Sequence, residues 1–146
     1  MKTTRRLLVI ALFLAGVASA QTQFTFWHSM EGAQESIGSL VSGFNSSQSD
    51  YRVTAEYVGG YPEAQTRLAA AFGTQSAPVL FQAEVGYWPQ LVADGALHDL
   101  SDLVAELEPE FIADFYPGLW GYGELDGGRY GLPWNSSTPV MYVNLD

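Results

Sequence analysis

Apolar side chains in the first part of the chain switch between strand spacing and helix spacing. Residues 23–27 are rich in β-forming side chains. Residues 52–57 alternate apolar and polar positions, as in a strand with one solvent-exposed face. Between them, four apolar side chains recur at the spacing of one helix face: Ile37, Leu40, Val41 and Phe44. A helix ending near Asn45 between two strands predicts a parallel βαβ unit.

The middle of the chain continues the alternation of helix and strand. Pro62 stands at a first helical position and begins a helix whose predicted buried face carries Leu68, Ala69 and Phe72. The continuous apolar run 79–81 is typical of a buried parallel strand. These patterns predict an α/β fold built on a parallel sheet.

Shorter helices are predicted after this third strand. One spans residues 87–94 and is ended by Gly95, and Ser101 is placed to cap the next. The predicted buried side chains of that next helix are Leu103, Val104 and Leu107. A further helix over residues 110–119 is predicted to bury Phe111, Ile112 and Phe115.

The last stretch has the pattern of a hairpin followed by a polar loop. Asp126-Gly127 is a turn dipeptide between predicted arms at 122–125 and 129–131. The second arm leads to Asn135-Ser136-Ser137-Thr138, which two prolines flank, and residues 140–142 then alternate as a strand does. A rigid loop of small polar side chains suits a polar organic ligand.

Polar and aromatic residues follow each predicted strand. We call the segments that directly follow the strands their exits. In an open α/β sheet the exits meet at the carboxyl ends of the strands, where ligands bind. The exits hold Trp27-His28-Ser29-Met30-Glu31, Gly59-Gly60-Tyr61, Glu84-Val85-Gly86 and Asn135-Ser136-Ser137-Thr138. We expect a ligand site where they converge.

Glu84 is the strongest candidate for a ligand-binding residue in these exits, because it is an acid that follows a predicted buried strand. Its carboxylate could accept two hydroxyl groups of a polyol, interact with a helix dipole, or serve as a catalytic acid. Tyr61 either packs in its turn or contacts ligand. Trp27 and Trp134 either serve the core or face the ligand, and His28 is expected to be a satisfied loop histidine.

An enzyme is the rival class. Acid-base hydrolysis of a glycoside needs two facing carboxylates, and Glu31 is the available mate for Glu84 at a strand exit. The chain has no G-x-S-x-G elbow, no recognisable Ser-His-Asp order and no Walker-type phosphate loop. A secreted glycosidase is therefore the catalytic alternative to a binding protein.

Charge and composition exclude several partners. The six basic residues include three within residues 1–20, so residues 21–146 carry three arginines against sixteen acids, a net charge of −13. Such a surface repels nucleic acid and anionic lipid. Cysteine is absent, and His28 and His98 stand far apart, so neither disulfides nor a metal site is expected.

Residues 1–20 have the layout of a secretory signal peptide. Basic residues precede an apolar run over residues 7–15, and the small-residue site Ala18-Ser19-Ala20 follows. The run is shorter than the ~20 residues that a membrane span needs. We expect export with cleavage before Gln21.

Several sequence motifs carry a family resemblance. They are FWHSMEG at residues 26–32, FN at 44–45, AP at 77–78, EVG at 84–86 and NSSTPVMYVN at 135–144. With these motifs the chain resembles the extracytoplasmic solute-binding proteins of ABC importers, and most of all their glycerol-3-phosphate branch. The resemblance covers nearly all of residues 21–146.

The resemblance implies a receptor of the periplasmic-binding-protein type II-like fold, with two lobes that close on a small molecule. Residues 21–146 would be its N-terminal lobe only, with an incomplete sheet, located in the periplasm or outside the cytoplasm. The implied ligand is sn-glycerol-3-phosphate or a glycerophosphodiester, delivered to membrane permease subunits without a cofactor. A sugar or oligosaccharide is the alternative.

The resemblance also implies the ligand contacts. Tyr61, Glu84 and Ser137 match the family's contact positions, with Ser136 as the fallback for Ser137. The arginine that meets the phosphate would belong to the second lobe. Of the arginines present, only Arg129 is expected near the site. Because a phosphate needs charged hydrogen-bond donors, we expect this chain alone to bind glycerol-3-phosphate weakly or not at all.

Overall fold

The main sheet of the computed structural model, which describes residues 21–137 and 140–144, has three parallel strands. They are β1 (Thr22–His28), β2 (Tyr51–Tyr57) and β3 (Leu80–Phe81), in the spatial order β2-β1-β3. A separate antiparallel hairpin pairs β4 (Glu124–Leu125) with β5 (Gly128–Arg129). The parallel sheet with helical connections confirms the predicted α/β class.

Helices connect the strands and fill the second half of the chain. They are α1 (Gln34–Ser47), α2 (Tyr61–Ala71), α3 (Trp88–Ala93), α4 (Ser101–Ala105), α5 (Pro109–Ala113) and α6 (Pro117–Trp120), with 3₁₀ turns at Glu31–Ala33 and Gly121–Gly123. Proline lies in the first turn of α2, α3, α5 and α6, where its missing N–H leaves no hydrogen bond unmade. Across residues 21–137 and 140–144, no helix has the length and apolar character to cross a membrane.

The βαβ unit is stabilised by backbone pairing between its strands and by two hydrogen bonds from one side-chain amide. β1 and β2 pair in register from Thr22 opposite Tyr51 to His28 opposite Tyr57. Near the end of α1, Asn45 Nδ2 donates to Val53 O at 2.9 Å, and Asn45 Oδ1 accepts from Val53 N at 2.8 Å. The amide thus replaces the hydrogen bonds that a neighbouring strand would supply, and it fixes α1 against β2.

The core lies between the sheet and helices α2 and α3. Its buried members are Trp27, Val58, Ala64, Leu68, Ala71 and Leu91. The Trp27 indole N–H donates to Glu56 Oε2 at 3.0 Å, and the Arg67 guanidinium lies 4.3 Å from the centre of its ring. Arg67 and Glu56 also form an ion pair at 2.5 Å. The largest core side chain is therefore held by side chains of two other elements, β2 and α2.

Several side chains predicted to be buried are exposed. On α2 the buried face combines Leu68 with Ala64 and Ala71, whereas Ala69 and Phe72 face outward. The buried face is therefore rotated from the predicted one and includes two alanines.

The predicted apolar face of α1 and the predicted third strand are also less buried than expected. Leu40 and Phe44 are exposed, and Ile37 is the only buried residue of α1. The strand at 79–81 contains only Leu80 and Phe81 and forms an edge of the described sheet, with Val79 and Leu80 exposed. The prediction of a fully buried strand was wrong, because an edge strand is packed on fewer sides.

The single helix predicted over residues 110–119 is two helices. α5 ends at Ala113, and α6 begins at Pro117, since Tyr116 before the proline adopts an extended backbone with ψ 129°. Phe111 and Leu103 were predicted to be buried and are exposed. These short helices have too few turns to bury a full apolar stripe.

Ser101 does not cap α4 as predicted. Asp99 Oδ1 accepts hydrogen bonds from Ser101 N at 2.8 Å and from Ser101 Oγ at 2.6 Å. The Ser101 hydroxyl in turn accepts from Arg129 N at 3.1 Å. An aspartate two residues upstream therefore organises the start of α4 and links it to β5.

The Asp99 carboxylate should make stability depend on pH. The hydrogen bond from the Ser101 side chain, helped by those from backbone N–H groups, holds the pKa of Asp99 below its usual value. A lowered folded-state pKa stabilises the protein above the unfolded-state pKa of about 3.9, and this is lost as pH falls through the folded value. We expect Asp99→Asn to lower the urea midpoint at pH 7 and to differ less from wild type below about pH 3. An equal difference at both pH values would contradict this role, and Asp102→Asn in the first turn of α4 is the control.

The end of the chain confirms one turn and corrects one strand. Asp126 and Gly127 have φ values of 51° and 84°, the positive pair that a tight hairpin turn requires. The hairpin arms are shorter than predicted. Val140 and Tyr142 belong to no strand and are exposed, so the strand predicted from their alternation was wrong. Thr138 and Pro139, which the loop prediction included, and the signal peptide predicted over residues 1–20 lie outside the described residues.

Candidate functional site

Gln82 joins the loops that follow the three strands. Its N–H donates to Trp27 O at 2.8 Å, which extends the ladder between β3 and β1. Its side chain is buried: Oε1 accepts from Ser29 N at 2.9 Å, while Nε2 donates to Asn135 Oδ1 at 2.8 Å and to Tyr61 OH at 3.4 Å. The loops after β1 and β2 and the segment after the hairpin thus meet at the carboxyl edge of the sheet.

Trp134 holds the last of these segments against the sheet. Its ring packs edge-on against Phe26 with centroids 5.4 Å apart, and its indole N–H points to Met30 Sδ at 3.2 Å. The side chain is still 47% exposed, so an aromatic face remains open beside the Gln82 cluster. Trp27, by contrast, is 4% exposed and lies in the core.

Tyr61 reaches the cluster from the start of α2. The turn before it needs glycine, because Gly59 has φ +94° and a Cβ there would lie 2.8 Å from Glu63 Cβ. The Tyr61 side chain remains partly exposed while its hydroxyl accepts from Gln82. Tyr61 can therefore contact both the cluster and a molecule in solvent.

Glu84 lies two residues beyond Gln82 and is half-buried. Its carboxylate lies over Gly86, where an added Cβ would come within 3.1 Å of Glu84 Oε2. Among residues 21–137 and 140–144, no hydrogen bond or ion pair is formed to this carboxylate. Its oxygens are thus unused acceptors next to the convergent loops.

Ser136 and Ser137 follow Asn135 and are exposed. Neither hydroxyl hydrogen-bonds to another residue within the two described ranges. The Gln82–Asn135 hydrogen bond fixes the residue before them, so the two serines extend from an anchored point. Both remain candidates for the contact that the family resemblance implies.

The histidine at the end of β1 offers no positive charge to a ligand. His28 is 3% exposed, packs near Phe26 and Tyr57, and accepts from Met30 N through Nδ1 at 3.4 Å. Burial lowers its pKa below the usual 6.5, so the imidazole is neutral at pH 7. The Oγ atom of the next residue, Ser29, is buried without a hydrogen-bond partner in the described part of the chain.

Arg129, the arginine expected near the site, makes its contacts within and beside its own hairpin, so its charge is already engaged. Its side chain is 5% exposed and pairs with Glu124. Nη1 donates to Trp120 O at 3.1 Å and Gly131 O at 3.3 Å, and the guanidinium stacks 4.0 Å from the Trp120 ring centre. No group of acidic or histidine side chains that could hold a metal occurs in residues 21–137 and 140–144.

A family model described as bacterial extracellular solute-binding protein matches residues 28–146. The chain belongs to this family. Its members are extracellular or periplasmic binding proteins and not enzymes, so membership does not support the glycosidase alternative built on Glu84 and Glu31.

Curated relatives of this solute-binding protein include two named sn-glycerol-3-phosphate-binding periplasmic protein UgpB. The Brucella abortus protein is 35% identical over 141 residues, which is 94% of this chain and 33% of that protein. The Escherichia coli K12 protein is 36% identical over 148 aligned positions, 98% of this chain and 34% of that protein. The chain thus spans about a third of the length of these relatives.

Solved structures share the fold of this solute-binding protein. UgpB from Mycobacterium tuberculosis, in complex with glycerophosphocholine, matches 78% of this chain and 30% of its own with a TM-score of 0.70 at 22% identity. The sugar-binding protein MalE from Xanthomonas citri matches 77% of this chain and 28% of its own with a TM-score of 0.68 at 26% identity. The predicted periplasmic-binding-protein fold is confirmed over this part of the relatives' length.

The segments that converge were all predicted from the sequence, but the residue that joins them was not. Gln82 was not among the predicted site residues. One signal was available: it is the first polar residue after the apolar run 79–81. That position puts it at the carboxyl end of a parallel strand, where ligand sites form.

Proposed function

We propose that residues 21–146 form the N-terminal lobe of a two-lobed receptor that captures sn-glycerol-3-phosphate or a glycerophosphodiester for an ABC importer. The observation that carries the proposal is the convergence of strand-exit loops on Gln82. It leaves the Glu84 carboxylate and the hydroxyls of Tyr61, Ser136 and Ser137 available at one edge of the sheet. We further propose that residues 1–20 are the signal peptide that directs export.

The chemistry of this edge suits a glycerol backbone. A carboxylate accepts hydrogen bonds from two vicinal hydroxyls, and phenol and serine hydroxyls donate or accept as required. The exposed face of Trp134 can pack on the C–H surface of the ligand. The glycosidase alternative would require Glu31 as a partner acid, and Glu31 is exposed in the 3₁₀ turn after β1.

The phosphate group needs a cation from outside these residues. Arg129 pairs with Glu124, Arg67 pairs with Glu56, and Arg52 lies exposed on β2. The net charge of −13 over residues 21–146 also opposes anion binding. We therefore propose that a second lobe supplies the charged contact and that permease subunits in the membrane accept the ligand.

A sugar or oligosaccharide is the second candidate. The fold similarity to the sugar-binding protein of Xanthomonas citri supports it, as does the lack of a free cation near Glu84 in the described residues. The same carboxylate, hydroxyl and aromatic groups bind sugar hydroxyls and ring faces. Parallel titrations with glycerol-3-phosphate, glycerophosphocholine and maltose separate the two classes.

We expect Glu84→Ala and Ser137→Ala to weaken ligand binding by the complete receptor. Leaving ligand hydroxyls unpaired costs about 1–3 kcal/mol, so Glu84→Ala should raise Kd roughly 5- to 150-fold. Isothermal titration calorimetry with glycerol-3-phosphate and glycerophosphocholine measures this, and the exposed Glu35→Ala on α1 is the matched control.

Three results would reject parts of the proposal. Unchanged affinity in both Glu84→Ala and Ser137→Ala would remove these residues from the site. Micromolar binding of glycerol-3-phosphate by residues 21–146 alone would place the phosphate contact within this chain and not in a second lobe. Tight binding of maltose without binding of either phosphate compound would select the sugar receptor.

A further inference from the structure

We infer that Gln82 is a positioning residue that holds the loops of the ligand site together and sets which of their groups donate hydrogen bonds. This inference rests on the proposed function. Gln82 is not a direct ligand contact: its side chain is buried, and both N–H groups of its amide are used, one by Asn135 and one by Tyr61. It acts through these partners.

The anchoring comes from the sheet. Gln82 directly follows β3, and its own N–H bonds to Trp27 O of the central strand β1. A side chain fixed at a strand end is a more rigid support than a loop residue. From this support Oε1 holds the Ser29 N–H, and Nε2 holds Asn135. The segments on either side of the site are therefore tied to one amide group.

The direction of these hydrogen bonds determines the polarity of the site. Because the Tyr61 oxygen accepts from Gln82, its own O–H hydrogen is directed elsewhere and can be donated. Because Asn135 Oδ1 accepts from Gln82, the two N–H groups of that amide are likewise left as donors. Gln82 thus leaves donors at this edge, which favours a ligand rich in acceptor oxygens, as a phosphodiester or polyol phosphate is.

Two substitutions separate the positioning role from the polarity role. Gln82→Met keeps the length of the side chain and removes the acceptor and both donors. Gln82→Glu keeps an acceptor for Ser29 N but cannot donate, so Tyr61 and Asn135 must turn their own donors toward it. Gln90→Met is the matched control, because Gln90 is an exposed glutamine whose side chain hydrogen-bonds only locally, to Asp94 at the end of α3.

Hydrogen–deuterium exchange of the complete, ligand-free protein tests positioning without reference to any ligand. Gln82→Met should raise exchange at Ser29 by about tenfold and accelerate exchange over residues 130–137, while Gln90→Met changes neither. Gln82→Glu should leave exchange at Ser29 within about twofold of wild type, since its acceptor remains. Wild-type exchange at both segments in Gln82→Met would overturn the positioning role.

Titration with glycerophosphocholine tests polarity. This probe carries no net charge, so repulsion of an anion by the new carboxylate contributes little. We expect Gln82→Glu to raise Kd by about tenfold or more although its exchange at Ser29 is preserved. Wild-type affinity in Gln82→Glu would overturn the polarity role. If wild-type receptor binds neither glycerophosphocholine nor glycerol-3-phosphate, the proposed function fails, and the exchange result still decides whether Gln82 holds the loops.

Discussion

Replacing Trp27 with alanine is expected to lower the free energy of unfolding by about 3–5 kcal/mol, the range for large aromatic side chains removed from a core. Trp27 is 4% exposed and packs with the small and branched side chains that join the sheet to α2 and α3. Its removal leaves a cavity that these neighbours fill only in part. It also removes the indole N–H that donates a hydrogen bond to the Glu56 carboxylate, and the ring on which the Arg67 guanidinium stacks.

Urea unfolding followed by far-UV circular dichroism measures the Trp27→Ala effect. Tyr116→Ala is the control, because the Tyr116 side chain is 78% exposed and its loss should change stability by less than about 0.5 kcal/mol. The Arg67–Glu56 ion pair that would remain is nearly half exposed on both sides and contributes little. A Trp27→Ala protein as stable as the Tyr116→Ala protein would show that Trp27 is not part of the core.

Gly123→Ala is expected to destabilise the hairpin region by about 3 kcal/mol or more, at the upper end of the cost of overpacking. A Cβ at Gly123 would lie 2.0 Å from Gly131 O and 3.0 Å from Arg129 Nη1. The first of these is backbone, so the two segments must separate. Separation would also break the hydrogen bond from Tyr130 N to Gly123 O, which is 2.8 Å long.

The matched control for Gly123→Ala is Gly121→Ala. Gly121 has a helical φ of −64°, and an added Cβ would meet nothing within 4 Å. We expect its unfolding midpoint to equal or slightly exceed that of wild type, because alanine reduces the freedom of the unfolded chain. Equal stability of the Gly121→Ala and Gly123→Ala proteins would mean that the close approach of Gly123 to Gly131 does not persist in solution.

Gly123 also connects stability with the proposed ligand site. The segment that it packs against leads from Gly131 to Asn135, where Gln82 holds the chain. A displaced hairpin would therefore move the two serines that follow Asn135. In the complete receptor we expect Gly123→Ala to weaken binding as well as folding, although Gly123 lies in the 3₁₀ turn before β4 and not in the Gln82 cluster.

Local patterns in the sequence were sufficient for the class of fold. The strands near residues 23–27 and 52–57, the helix between them, and the turn at Asp126-Gly127 were all predicted from spacing and turn chemistry. These features depend on neighbours a few residues away, so a single sequence contains their cause. The motifs NSSTP and WHSMEG also pointed to the solute-binding family, which the comparisons confirm.

The sequence alone therefore determined the parallel α/β architecture, the acidic charge and the set of strand-exit loops. Only the tertiary structure decided which side chains of those loops meet. Gln82 hydrogen-bonds to residues up to 53 positions away, and the Arg129 guanidinium is engaged by Glu124 and Trp120. Burial was decided in the same way: Leu40 and Leu68 fit equally good helical patterns, yet one is exposed and the other buried. Such outcomes depend on contacts between distant segments, and the spacing of residues within one segment does not encode them.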